Sequence, residues 1–125
     1  MKTKYIDMTM QNYAKELASN KSMPGGGSAA AYSLTLANSL ASMVANFTTG
    51  KKKYAEYESD IGNILEETDK LFLEILSMVD EDAEAFLPLA AAYKMPRETD
   101  EQKELKDSEM QRCLKNASIV PMNVI

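Results

Sequence analysis

Apolar residues return at helical intervals along most of the chain. Ile6, Met10, Tyr13, Ala14 and Leu17 share one face, with Thr9 placed to cap it, and this predicts a short first helix ending near Ser19. Asn20-Lys21-Ser22 closes that helix. Met23-Pro24-Gly25-Gly26-Gly27-Ser28 follows, a proline and three glycines that suit a tight turn entering a helix and no regular element. Ser28 is the expected N-cap of the helix that comes next.

From Ser22 to Gly50 there is no Asp, Glu, Lys or Arg, although 26% of the whole chain is charged. A helix without a charged face is expected to be buried nearly all round, so this segment is read as the central helix. It carries a bulky stripe, Leu36, Leu40, Met43, Val44 and Phe47, and a small one, Ser33, Ala37, Ala41 and Ala45, that would let a neighbouring backbone approach closely. A membrane span would fit the length, but Ser33, Thr35, Asn38, Ser39, Ser42 and Asn46 are too polar for lipid. Gly50 supplies the left-handed stop.

Lys51-Lys52-Lys53 opens the next segment, where a stripe from Tyr57 through Ile61, Leu65, Phe72, Ile75, Val79 and Phe86 to Ala90 predicts a long amphipathic helix. Pro88 lies inside it and is expected to kink or break it between Glu84 and Pro88. Thr99 and Gln102 form a capping box for a last helix with Leu105, Met110, Cys113, Leu114 and Ala117 on its apolar side, and Pro121 is expected to interrupt it. The fold class is therefore all-α, an antiparallel bundle around the uncharged helix. The chain ends on apolar Val124-Ile125, which suggests that further helices or a partner chain cover this end.

Composition narrows the function classes. A length of 125 residues fits one domain, and 7% aromatic residues without Trp speak against a sandwich or barrel. A net charge of −5 argues against a nucleic-acid duplex as the main partner, because that affinity rests on neutralising phosphates. With His at 0 and Cys at 1, imidazole-dependent triads and Cys/His zinc sites are excluded, which leaves carboxylates, Lys, Tyr, the thiol and the backbone for acid–base work. The single Cys113 fits a reducing compartment, and the polar start lacks the apolar stretch of a signal peptide, so a cytoplasmic protein is expected.

Three places could carry chemistry. The turn from Pro24 to Ser28 presents bare backbone N–H groups at a helix start, which suits an anion or a polarised carbonyl, although the same turn could serve only as a tight entry into a crowded bundle. Asp82 falls three residues after Val79 and four before Phe86, on the apolar stripe, while Asp80, Glu81 and Glu84 lie off it. A carboxylate there is either desolvated, as a general acid near neutral pH requires, or the cap of a neighbouring helix. Lys51 to Lys53 sit where the helix dipole disfavours cations, which invites an anionic ligand. Cys113 and the methionines read as packing groups.

Met23-Pro24-Gly25-Gly26-Gly27-Ser28-Ala29-Ala30-Ala31, Met43-Val44-Ala45-Asn46-Phe47-Thr48, Gly50-Lys51-Lys52, Asp82-Ala83-Glu84-Ala85-Phe86, Lys94-Met95-Pro96 and Leu114-Lys115-Asn116-Ala117 occur in one order. Together they resemble the formiminotransferase-cyclodeaminase family, in its cyclodeaminase and methenyltetrahydrofolate cyclohydrolase branch. The resemblance implies an all-helical, dimer-forming enzyme that needs no metal and no cofactor beyond its folate substrate. It acts on the bridge carbon between N5 and N10 of tetrahydrofolate. Carried over by position, Pro24, Gly25, Gly26, Gly27 and Ser28 would line the folate pocket, Asp82 would be the acid–base carboxylate, and Lys51 or Lys52 would attract the glutamate tail. The chain departs from the pattern at Lys106-Asp107-Ser108-Glu109, where relatives carry an Arg, and relatives continue with further helices beyond Val120-Pro121. A non-catalytic helical binding or assembly module is the rival reading.

Overall fold

The computed structural model describes residues 3–125. Helices α1 (Met10–Leu17), α2 (Gly26–Thr48), α3 (Glu58–Tyr93) and α4 (Asp100–Val124) are joined by short connections, with 3-10 turns at Tyr5–Asp7 and Lys52–Tyr57 and no strand among the described residues. The all-α expectation holds. Thr9 caps α1 by accepting from the Asn12 N–H, and Thr99 and Gln102 form the reciprocal capping box of α4.

Helix α3 is the spine. Contacts of Gly27 with Asp82, Asn38 with Thr68 and Thr49 with Glu58 run α2 antiparallel to it. On the other flank, the Lys106 ammonium donates to the Tyr93 and Met95 carbonyls, and Cys113 packs on Leu89 and Ala92, so α4 is antiparallel as well. One core cluster joins Tyr13, Ala31 and Val79, and a second joins Leu89, Ala92 and Cys113. Asp82 lies on α3 between them.

The uncharged helix is not the most buried element. Ser28, Ala31, Thr35 and Ala45 are its buried residues, so the line of small side chains that meets α3 includes Ala45 but not Ser33, Ala37 or Ala41. The bulky stripe faces away, with Leu40 58% and Phe47 67% exposed. Small residues let α2 lie close on α3, and the larger apolar ones are left for a surface that this chain does not cover.

Neither proline breaks its helix. Helix α3 continues through Pro88 to Tyr93, and α4 through Pro121 to Val124. Each costs one backbone hydrogen bond, but the turns beyond are held by packing, Leu89 and Ala92 on Cys113 and Val124 on the Tyr13 cluster. The lysine cluster, in contrast, does not open α3. Lys52–Tyr57 forms a 3-10 turn with Tyr54 outside helical geometry, and α3 starts only at Glu58.

Gly50 has a φ of 74°, the left-handed conformation expected after α2. Gly62 sits in the exposed interior of α3, where an added Cβ meets nothing within 4 Å. Thermal melts should therefore separate them: Gly50→Ala destabilises by about 1 kcal/mol, and Gly62→Ala stabilises by roughly 0.5–1 kcal/mol.

Candidate functional site

The glycine turn enters α2 one turn earlier than the sequence suggests. Gly25, not Ser28, is the N-cap, and it has no side chain to satisfy the first amides. Asp82 reaches across from α3 and lies against this helix start. Its carboxylate meets the Ser28 backbone N–H, and a Cβ at Gly27 would fall within 2.6 Å of Asp82 Oδ2 and closer still to Oδ1. Only a glycine at Gly27 lets the carboxylate close on the helix start. The first-turn amides and the positive end of the dipole then face a negative group.

Glycine freedom elsewhere in the turn is not used as expected. Gly25 has a φ of −117°, Gly26 lies within the helix, and Gly50 is the positive-φ glycine among the described residues. Gly26 therefore needs no left-handed backbone, and an added Cβ there meets nothing within 4 Å. Pro24, after a cis Met23–Pro24 bond, is buried beneath the turn, and Ser28 is fully buried within the helix.

Asp82 opens onto a groove of about 470 Å³ between the glycine turn, α3 and α4. Gly25, Gly26 and Gly27 form one wall, Phe86 and Leu89 a second, and Leu114, Ala117 and Pro121 a third. Asp82 is the one charged side chain among the described residues that line it. Partial burial pushes its carboxyl above the usual carboxylate range, against the opposing pull of the Ser28 N–H. Asp82 thus lies against a neighbouring helix start and is a partly buried carboxylate lining a cleft.

The raised value has a thermodynamic consequence. The folded chain binds the Asp82 proton more tightly than the unfolded chain, so this group's contribution is full below the unfolded value and is lost as pH rises through the folded one. Urea unfolding followed against pH should show the parent losing stability relative to Asp82→Asn over that interval.

Lys51 and Lys52 are not part of this groove. They are exposed at the far end of α2, whose 23 residues span about 34 Å at the helical rise. Two residues that the sequence reading passed over lie close to the site instead. The Tyr13 and Ser28 hydroxyls are hydrogen-bonded at 2.8 Å, and Asp80 accepts from the Tyr5 and Ile6 N–H groups at 2.7 and 3.2 Å. Tyr13 was visible only as an apolar face position, and no spacing signals that its hydroxyl is engaged. Asp80 is consequently no idle neighbour of Asp82, whereas Glu84 remains exposed.

Fold and site together define a helical-bundle protein that sets one half-buried carboxylate against a bare helix N-terminus at the mouth of an apolar groove. The formiminotransferase-cyclodeaminase family model matches residues 9–125, and the chain belongs to that family. It is 41% identical over 114 residues to a methenyltetrahydrofolate cyclohydrolase of Methylorubrum extorquens, covering 91% of this chain and 55% of that protein. It is 29% identical over 119 residues to the rat formimidoyltransferase-cyclodeaminase, covering 95% of this chain and 22% of that one. The crystal structure of formiminotetrahydrofolate cyclodeaminase from Thermotoga maritima superposes with a TM-score of 0.78 at 32% identity, covering 94% of this chain and 55% of that chain. The chain thus spans about half the length of the Methylorubrum and Thermotoga proteins.

Proposed function

We propose that the chain acts on folate one-carbon units, closing formiminotetrahydrofolate with release of ammonia or opening methenyltetrahydrofolate with water. The observation that carries this reading is Asp82: a carboxylate with a raised pKa, held on the Gly27-Ser28 helix start and facing a groove whose other lining residues are uncharged. In the first reaction N10 attacks the formimino carbon and the C=N bond opens; the departing nitrogen takes the N10 proton and a second proton from the carboxyl, and leaves as ammonia as its C–N bond breaks. In the second, water attacks the amidinium carbon and gives one proton to the carboxylate, which passes it to the bridge nitrogen as that C–N bond breaks, and the remaining hydroxyl proton goes to solvent as the formyl C=O forms. The groove's apolar walls suit a flat heterocycle, and its volume is in the usual range for small-molecule sites. No metal or cofactor besides the folate enters either scheme.

The same reading includes a homodimer in the cytoplasm. The exposed stripe from Leu36 to Phe47 supports it as a surface that a second copy would cover. In one chain Lys51 and Lys52 lie too far from the groove to hold the folate's glutamate tail, so that role would need them from a second copy. The exposed stripe also favours the rival reading, a helical assembly module without turnover. Supplying each folate in turn separates the readings: ammonium release from formiminotetrahydrofolate identifies the deaminase, loss of methenyl absorbance identifies the hydrolase, and binding without either supports the module.

A further inference from the structure

The N-terminal segment touches the structure on both sides of Asp82. On α3, Asp80 lies two residues before Asp82 and accepts from the Tyr5 and Ile6 N–H groups. On α2, the Ser28 hydroxyl is hydrogen-bonded to Tyr13, and the N–H of that same Ser28 faces the Asp82 carboxylate. The two anchors are coupled through aromatic packing. Tyr5 meets Tyr13 edge-on at 6.2 Å between ring centroids, and Tyr32 packs on Tyr13 at 5.7 Å. One ring-packed unit therefore fixes both the helix that carries Asp82 and the amide that its carboxylate meets.

We infer that Tyr13, with Asp80, is a positioning residue for Asp82, holding α3 and the start of α2 in the register that seats the carboxylate on the Ser28 N–H. The contact is built to persist. Ser28 is 0% exposed and Tyr13 9%, so neither hydroxyl has water as a ready substitute, and each depends on the other. Burial, together with the nearby Asp82 and Asp80 charges, raises the Tyr13 phenol and keeps it protonated. The titratable neighbours of Tyr13 are Asp82 and Asp80 from α3 and Tyr32 from α2. The α4 wall, Leu114, Ala117, Ser118 and Pro121, carries no charge.

The functional weight of this inference rests on the groove being the folate site, but its test needs neither folate nor turnover. Carboxyl NMR titration of Asp82 is run on the parent, Tyr13→Phe, Ser28→Ala and the double variant, with a melting temperature for each. Tyr13→Phe is expected to raise the Asp82 midpoint by about half a pH unit, as the Ser28 N–H loses alignment and its lowering pull weakens. The double variant leaves no orphan hydroxyl, so it keeps the fold should Tyr13→Phe destabilise it. It is expected to show the same rise and not a sum, because the pair acts as a unit. A midpoint that stays put or falls while the melting temperature drops would make Tyr13 a core residue only and overturn the inference. Additive rises would overturn it too. A rise in a protein inert toward folates would uphold the positioning and count solely against the functional reading.

Discussion

Asp82→Asn is expected to lower turnover by on the order of a hundredfold or more, the usual contribution of general acid–base catalysis. Asn has the size and helix tolerance of Asp and keeps an oxygen that can accept the Ser28 N–H, so the α2 start stays capped. What it lacks is a group that titrates near the reaction. Folate affinity and melting temperature should therefore survive while rate collapses. If Asp82 served only as a cap, activity would instead follow stability, falling with the fold and returning wherever the fold is restored. Glu84→Gln is the fair comparison because Glu84 is exposed. Asp80→Asn is not, since it removes an acceptor of the Tyr5 and Ile6 amides.

Gly27→Ala should approach the same loss of rate by geometry, with the carboxylate's chemistry left intact. The new methyl would fall within 2.6 Å of Asp82 Oδ2, and Asp is too short to swing its carboxyl aside while keeping the Ser28 contact. Overpacking of this kind costs about 1–3 kcal/mol, partly offset by the better helix propensity of Ala. Melting should thus change modestly while turnover drops by tenfold or more, given how steeply rate depends on the placement of a catalytic group. Wild-type rates in Gly27→Ala would show that the close seat of Asp82 on α2 is irrelevant to catalysis.

The local signals were the most legible part of the sequence. Thr9, the Thr99–Gln102 box and the left-handed Gly50 act within one helical turn, so their chemistry needs no partner. Asp82 was legible because its position on an apolar stripe conflicts with its charge. What escaped the sequence depends on contacts distant along the chain. Ser28 yields the N-cap position to Gly25, and Asp82, 54 residues after Ser28, lies against the helix that begins at Gly26. Pro88 and Pro121 fail to stop their helices because Leu89, Ala92 and Val124 are packed beyond them. The uncharged run of α2 predicts burial, but absence of charge does not say which side is covered. In this chain the small side is covered and the bulky side is not.

The central claim, that Asp82 moves a proton at the folate bridge carbon, is tested most directly by the pH dependence of methenyltetrahydrofolate absorbance loss, corrected for the spontaneous reaction. The parent should show an enzyme-dependent rate with a limb whose midpoint matches the Asp82 carboxyl titration in the same protein, above the ordinary carboxylate range. That limb should vanish in Asp82→Asn. An enzyme-dependent rate with the same pH profile in parent and Asp82→Asn would contradict the account.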